Sequence, residues 1–94
     1  MKYEWDENKR KSNIKKHGID FVAAKEVFND GERIETVDDR HDYSEERIQT
    51  IGYAKPGILF VVYTYRNNIS TRRFISARKA NKKELALYNS LIGQ

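Results

Sequence analysis

The sequence predicts an α+β domain: two N-terminal helices, an antiparallel sheet of about four strands and a C-terminal helix. Three observations predict it. Apolar residues recur at three- and four-residue spacing at Phe21, Ala24, Val27 and Phe28, and again at Leu85, Tyr88, Leu91 and Ile92, as on buried helix faces. Between these stretches lie runs rich in β-branched and aromatic residues, 47–54, 58–66 and 69–77. The runs are divided by Lys55-Pro56-Gly57 and Asn67-Asn68, turns short enough to make neighbouring strands antiparallel.

In chain order, residues 3–5 are predicted as a short strand. Asp6 is placed to cap a helix running to His17, where Gly18 supplies the stop. This helix is poorly amphipathic, so Lys9, Arg10, Lys11, Lys15 and Lys16 are expected largely in water. Asp20 caps a second helix over 21–28, ended by the turn chemistry of Asn29-Asp30-Gly31. A strand follows at 33–37, and 38–46 is too polar to be anything but an exposed loop. The run 58–66 is apolar on both faces and is therefore placed at the centre of the sheet. Asn67-Asn68 reads as a two-residue turn because Asn tolerates positive φ. Asn81 caps the last helix.

At 94 residues, 38% hydrophobic, the chain has material for one core, and 1–94 reads as a single domain without repeat or linker. The absence of Cys excludes disulfides, thiolate metal sites and a cysteine nucleophile. The longest apolar run, 58–63, is far short of a membrane span and the N-terminus has no apolar secretion signal, so a cytoplasmic protein is expected.

The formal charge of +4 hides a strong asymmetry. Residues 1–18 carry +3. Residues 19–46 hold three basic against ten acidic side chains, a net of −7, and residues 47–94 hold nine basic residues against Glu84 alone, a net of +8. A charge of +8 in half a small domain makes a positive face suited to an anionic partner.

Metal chemistry finds little support. His17 and His41 lie on different elements, and Asp38, Asp39 and Asp42 lack the glycine and terminal glutamate of a calcium loop. Nothing resembles a glycine-rich phosphate loop or a nucleophile elbow. The basic residues say more. With a two-residue turn at Asn67-Asn68, Tyr65 faces Ser70, Tyr63 faces Arg72 and Val61 faces Phe74, so one sheet face gathers Tyr63, Tyr65, Arg72, Ser76 and Arg78. Arginine forks bind phosphates and tyrosine rings stack on unpaired bases, a mixture suited to single-stranded RNA. The same residues equally make ordinary cross-strand pairs on a half-exposed sheet. Lys82 and Lys83 stand in the first turn of the last helix, against its dipole, either as solvated charges or as part of an anion site. His17, at a helix C-terminus, is either a general acid–base or a capping residue.

Trp5-Asp6, Lys9, Asn13-Ile14-Lys15-Lys16-His17-Gly18, Asp20-Phe21, Ala24, Val27-Phe28, Glu46-Arg47, Ile51-Gly52, Val61-Val62-Tyr63-Thr64, Arg66 and Ile75-Ser76-Ala77-Arg78-Lys79-Ala80 together resemble the BrnT family of toxins, over almost the whole chain. The resemblance implies a RelE-like ribonuclease of a type II toxin–antitoxin system that cleaves RNA without metal or cofactor and blocks translation. It implies as partner a BrnA-like antitoxin with a ribbon-helix-helix domain, so that operator DNA is met only through the complex. Carried over by position, Arg66 and Arg78 are the phosphate-contacting arginines, and His17 is the leading acid–base group with Tyr63 second. Lys79, Arg72, Tyr65, Lys82 and Lys83 are candidate RNA contacts. One departure stands out: a strict two-residue turn puts Arg66 on the face opposite Arg78, and the stretch from Arg66 to Ile75 is longer than the usual pattern. A bulge would restore the cluster, or Arg66 would reach around the sheet edge; failing both, Arg72 is the better second arginine. Two other readings compete with the ribonuclease: a non-catalytic RNA- or DNA-binding module on the same basic face, and a protein whose basic surface docks an acidic partner.

Overall fold

The computed structural model describes residues 1–38, 46–55 and 57–92. Its elements are β1 (Lys2–Glu4), α1 (Glu7–His17), α2 (Phe21–Ala24), a 3-10 segment (Lys25–Asn29), β2 (Ile34–Asp38), β3 (Arg47–Ala54), β4 (Gly57–Arg66), β5 (Thr71–Lys79) and α3 (Lys82–Ile92). Strands β2 to β5 form the antiparallel meander predicted above. The sheet nevertheless has five strands and is mixed, in the order β1-β5-β4-β3-β2, because β1 lies parallel to β5 at its edge. The short strand predicted at 3–5 is this edge strand, one residue earlier at Lys2–Glu4, and it closes backbone groups that β5 would otherwise expose.

The predicted second helix is shorter than expected. Only Phe21–Ala24 is α-helical, and the chain then tightens into the 3-10 segment. Phe21, Ala24 and Val27 are still fully buried. Most of the loop predicted at 38–46 lies outside the described residues. The caps fall where expected: the Asp6 carboxylate accepts from Asn8 N–H and Lys9 N–H, Asp20 accepts from Val22 N–H, and Gly18 ends α1 at φ 72°.

Helices α1 and α2 and the 3-10 segment cover one face of the sheet and α3 lies over the other. The core sits on the first face. Trp5 stacks on Phe74 with ring centroids 5.8 Å apart, Phe21 meets the same ring edge-on, and Leu59, Val61, Tyr63 and Ala77 complete the cluster. Beyond β1 the edge of β5 is closed by a side chain. The carboxamide of Asn13 donates to Ala77 O and to Ile19 O and accepts from Ala77 N–H, a strand-like pairing made by a helix residue.

The β4–β5 connection corrects the predicted register. Four residues turn the chain, with φ of 53°, 54° and 66° at Asn67, Asn68 and Ile69, and Ser70 N–H returns to Asn67 O. Tyr65 therefore pairs with Arg72 and Tyr63 with Phe74. The register then slips by one: Val62 pairs with Ser76, Val61 with Ala77 and Phe60 with Arg78, which leaves Ile75 as the extra residue of a bulge.

Candidate active site

The bulge at Ile75 decides which side chains share a face. Side chains alternate along a strand, so one extra residue reverses the facing of everything beyond it. Tyr63, Tyr65, Arg72 and Phe74 belong to the helix-covered face, whereas Ser76 and Arg78 pair with Val62 and Phe60 on the α3 face. The predicted grouping of Tyr63, Tyr65 and Arg72 with Ser76 and Arg78 is thereby divided. The same slip places Arg66 on the face of Arg78, as the bulge alternative required.

On that face a polar cleft of 340 Å³ opens between the sheet and the start of α3, lined among others by Arg47, Gln49, Phe60, Ser76, Arg78 and Glu84. Arg78 is its centre. The guanidinium carbon lies 4.2 Å from the centroid of the Phe60 ring, a stacked cation–π contact. Nη1 and Nη2 donate to the two oxygens of Glu84 at 2.8 and 2.9 Å, and Nη1 also donates to Lys79 O at 3.1 Å. Of the five guanidinium N–H groups, Nε–H and the second hydrogen of Nη2 keep no partner among the described residues. Arg78 can hold Glu84 and present a fork to an anion at once.

Glu84 is held from two sides. Its Oε1 accepts from Asn81 N–H while Asn81 Oδ1 accepts from Glu84 N–H, a reciprocal capping box that starts α3. Its side chain is 15% exposed. The Arg78 guanidinium, helped by Asn81 N–H and opposed by burial, holds the carboxyl below its usual range. A carboxylate in the first helical turn also offsets the unfavourable placement of Lys82 and Lys83, both of which are exposed.

The other predicted site residues separate into four groups. Arg66 is exposed on the Arg78 face but six strand positions from Phe60, about 20 Å along β4. His17 is exposed at the end of α1 and lines a 240 Å³ depression with Lys9, Lys16, Ile75 and Ser76; that depression and the Arg78 cleft share the ridge formed by Ile75 and Ser76. The stop of α1 is made by Gly18, whose N–H bonds Ile14 O, so the imidazole of His17 is not needed as a cap. Lys79 pairs with Leu59 at the end of β5 and lines an apolar cavity of 360 Å³ with Ile19 and Leu85, away from Arg78.

Buried Tyr63 and Arg72 and half-buried Tyr65 form a framework. Tyr63 is fully buried, its hydroxyl donates to Glu35, and burial above all pushes its pKa well up, far from any acid–base role near neutrality. Arg72 is 9% exposed and lies 3.9 Å over the Phe28 ring while donating to Tyr3 Oη. Tyr65 packs edge-on against Tyr63.

Arg47, Gln49, Phe60 and Glu84 were not singled out by sequence reasoning. Arg47 and Gln49 alternate on β3, and their place beside Arg78 depends on the β3–β4 and β4–β5 registers together, which side-chain alternation within one strand does not carry. The Asn81-x-x-Glu84 spacing of a capping box was legible, but nothing in it pointed to Arg78.

Among the described residues, no three His, Cys, Asp or Glu side chains gather in a way that could hold a metal ion. No helix of the described residues is long and apolar enough to cross a membrane. Residues 5–84 match the family model described as the ribonuclease toxin, BrnT, of type II toxin–antitoxin systems. No curated protein matches the chain at a significant level.

Proposed function

The chain belongs to the BrnT family of ribonuclease toxins of type II toxin–antitoxin systems, and from that premise we propose that the Arg78 cleft is where it binds and cleaves RNA. The reaction proposed needs no metal: the ribose 2′-oxygen attacks the adjacent phosphate, and fixed positive charge stabilises the equatorial oxygens as charge builds on them. The observation that carries this reading is the bulge at Ile75, which brings Arg78 to Arg47 in one polar cleft, where Arg78 keeps Nε–H and one Nη2 hydrogen beyond those given to Glu84 and Lys79.

In this reading Arg78 contacts the scissile phosphate and Arg47 a neighbouring charge. Arg66, about 20 Å along the same face, follows the RNA backbone away from the cut. Lys82 and Lys83 add positive potential at the mouth of the cleft. His17 serves as general acid for RNA that crosses the Ile75–Ser76 ridge. Tyr63, Tyr65 and Arg72 hold the sheet in shape, and Lys79 stands apart from the cleft. Cleavage of cellular RNA would halt translation. The family's antitoxin partner is proposed to be a BrnA-like protein that covers this face and carries a ribbon-helix-helix domain, leaving operator DNA to the complex.

Induction in a bacterial host tests the reading. Growth arrest is expected from the wild-type protein and relief from Arg78→Ala that remains folded; a folded Arg78→Ala protein that stays fully toxic would overturn it. A purified protein that binds RNA and leaves it intact would mark a binding module instead.

A further inference from the structure

Cleavage by 2′-oxygen attack requires a group to take the 2′-hydroxyl proton, and the cleft contains few. Tyr63 is buried on the opposite face and His17 lies across the Ile75–Ser76 ridge. The carboxylates lining the cleft are Asp38 and Glu84, and only Glu84 is bonded to the arginine that is to hold the phosphate. Resting on the ribonuclease reading above, we propose that Glu84 is the general base of the reaction.

The geometry supports both roles of the pair at once. Oε1 is committed to Asn81 N–H and Arg78 Nη1, whereas Oε2 accepts only from Arg78 Nη2 and retains lone-pair capacity for a hydroxyl. A phosphate on the free Nε and Nη2 hydrogens sits beside that oxygen, and the 2′-hydroxyl of the preceding nucleotide is adjacent to the phosphate by covalent structure. Glu84 takes the 2′-hydroxyl proton as O2′ bonds to phosphorus. The phosphorus–O5′ bond breaks, its electron pair leaves with O5′, and O5′ takes a proton from His17. The products are a 2′,3′-cyclic phosphate and a 5′-hydroxyl, and Glu84 returns its proton to solvent.

The charged groups that line the cleft with Glu84 are Arg78 from β5, Arg47 from β3 and Asp38 from β2; Lys82 and Lys83 precede it in the same turn and are exposed, on other sides of the helix. The positive majority keeps the carboxylate ionised and ready to accept a proton down to acidic pH.

The test uses the full chain and an RNA oligonucleotide spanning a mapped cleavage site, in normal form and with a bridging 5′ sulfur whose departure needs no protonation. Glu84→Gln keeps an acceptor for Asn81 N–H and Arg78 Nη1, though not for Nη2. It should lower kcat/KM about 100-fold or more on both RNAs and abolish the acidic limb of the pH–rate profile. His17→Ala should lose activity on normal RNA and recover it on the sulfur-linked RNA. A residue that only positioned Arg78 would leave the acidic limb in place in Glu84→Gln. That outcome, or a folded Glu84→Gln within a few-fold of wild type, overturns the proposal. If Glu84→Gln does not fold, Glu84→Asp decides: its acidic limb should move relative to wild type, and an unmoved limb overturns the proposal. A wild-type protein that cleaves neither RNA overturns the ribonuclease reading and this inference with it.

Discussion

Arg78 and Glu84 join the last strand to the last helix through two parallel hydrogen bonds of 2.8 and 2.9 Å. Glu84 at the same time closes the capping box with Asn81, so the residues that start α3 also orient the arginine at the centre of the cleft. Stability and site geometry are coupled here. Alanine at position 84 would release both, whereas glutamine keeps one oxygen to accept from Asn81 N–H and Arg78 Nη1, loses the bond from Nη2 and removes the charge.

The closest thing to a keystone outside the cleft is Asn13. Its carboxamide makes three buried bonds to the backbone of Ala77 and Ile19, at 2.7, 2.9 and 3.1 Å. Asn13→Ala should destabilise the fold by about 2–4 kcal/mol, since buried backbone groups lose partners at about 1–3 kcal/mol each and water replaces some of them. Urea unfolding measures it, and a loss below 1 kcal/mol would show that the β5 edge does not depend on this side chain.

Ile69 carries the opposite kind of defect. It holds φ 66°, a conformation that is costly for a β-branched residue, and its side chain is 68% exposed, so little burial compensates. Ile69→Gly should stabilise the protein by about 1 kcal/mol, the relief of strain exceeding the extra entropy of the unfolded chain. An unchanged or lowered urea midpoint would contradict this.

Acid should weaken the fold through three carboxylates. Arg10 lowers the pKa of Asp20, with help from Val22 N–H. Burial opposes ionisation of Asp30, but hydrogen bonds from Tyr88, Tyr53 N–H and Glu32 N–H outweigh it. Arg78 lowers Glu84. Folded pKa values below the unfolded ones mean that the folded state binds fewer protons, so the stabilisation is complete above the ordinary carboxylate range and is lost as pH falls through the folded values. Tm should be flat from pH 7 to 5.5 and fall below about pH 4.5. In Asp20→Asn the fall should be shallower and the neutral-pH Tm lower, because the Arg10 pair is exposed enough to contribute modestly.

Arg66 and Arg78 should behave differently in kinetics. If Arg66 follows the RNA backbone away from the cut, Arg66→Ala should raise KM with little change in kcat and should flatten the salt dependence of binding. A fall in kcat equal to that of Arg78→Ala would place Arg66 at the reacting phosphate despite the distance along β4.

The parts of this fold that were legible in the sequence are those set by local chemistry. Asp6, Gly18, Asp20 and Asn81 cap their helices wherever the rest of the chain goes, and the Phe21, Ala24, Val27 spacing buries those side chains even though half of the expected helix is 3-10. Arg66 and Arg78 were found by family resemblance, and their common face depends on a bulge that alternation alone does not reveal. Two non-local facts set the rest. A four-residue turn, with isoleucine at positive φ, shifts the β4–β5 register by two, and the extra residue Ile75 shifts it again by one. Each shift is invisible in side-chain periodicity, yet together they bury Arg72 against Phe28 and expose Arg78 in the cleft. Glu84 was hidden for a different reason: as the one acidic residue in a basic half of the chain it looked like part of a helix start, and its partner is contributed by another element.

If Arg78 drives RNA cleavage without a metal ion, its removal must abolish an activity that a chelator leaves intact. Purified wild-type protein and Arg78→Ala, matched in thermal melting, should be incubated with RNA in excess EDTA and the cleavage rates compared. Wild-type cleavage that persists in EDTA and falls about 100-fold or more in Arg78→Ala is the result predicted. Cleavage that disappears in EDTA, or that survives intact in Arg78→Ala, would contradict it.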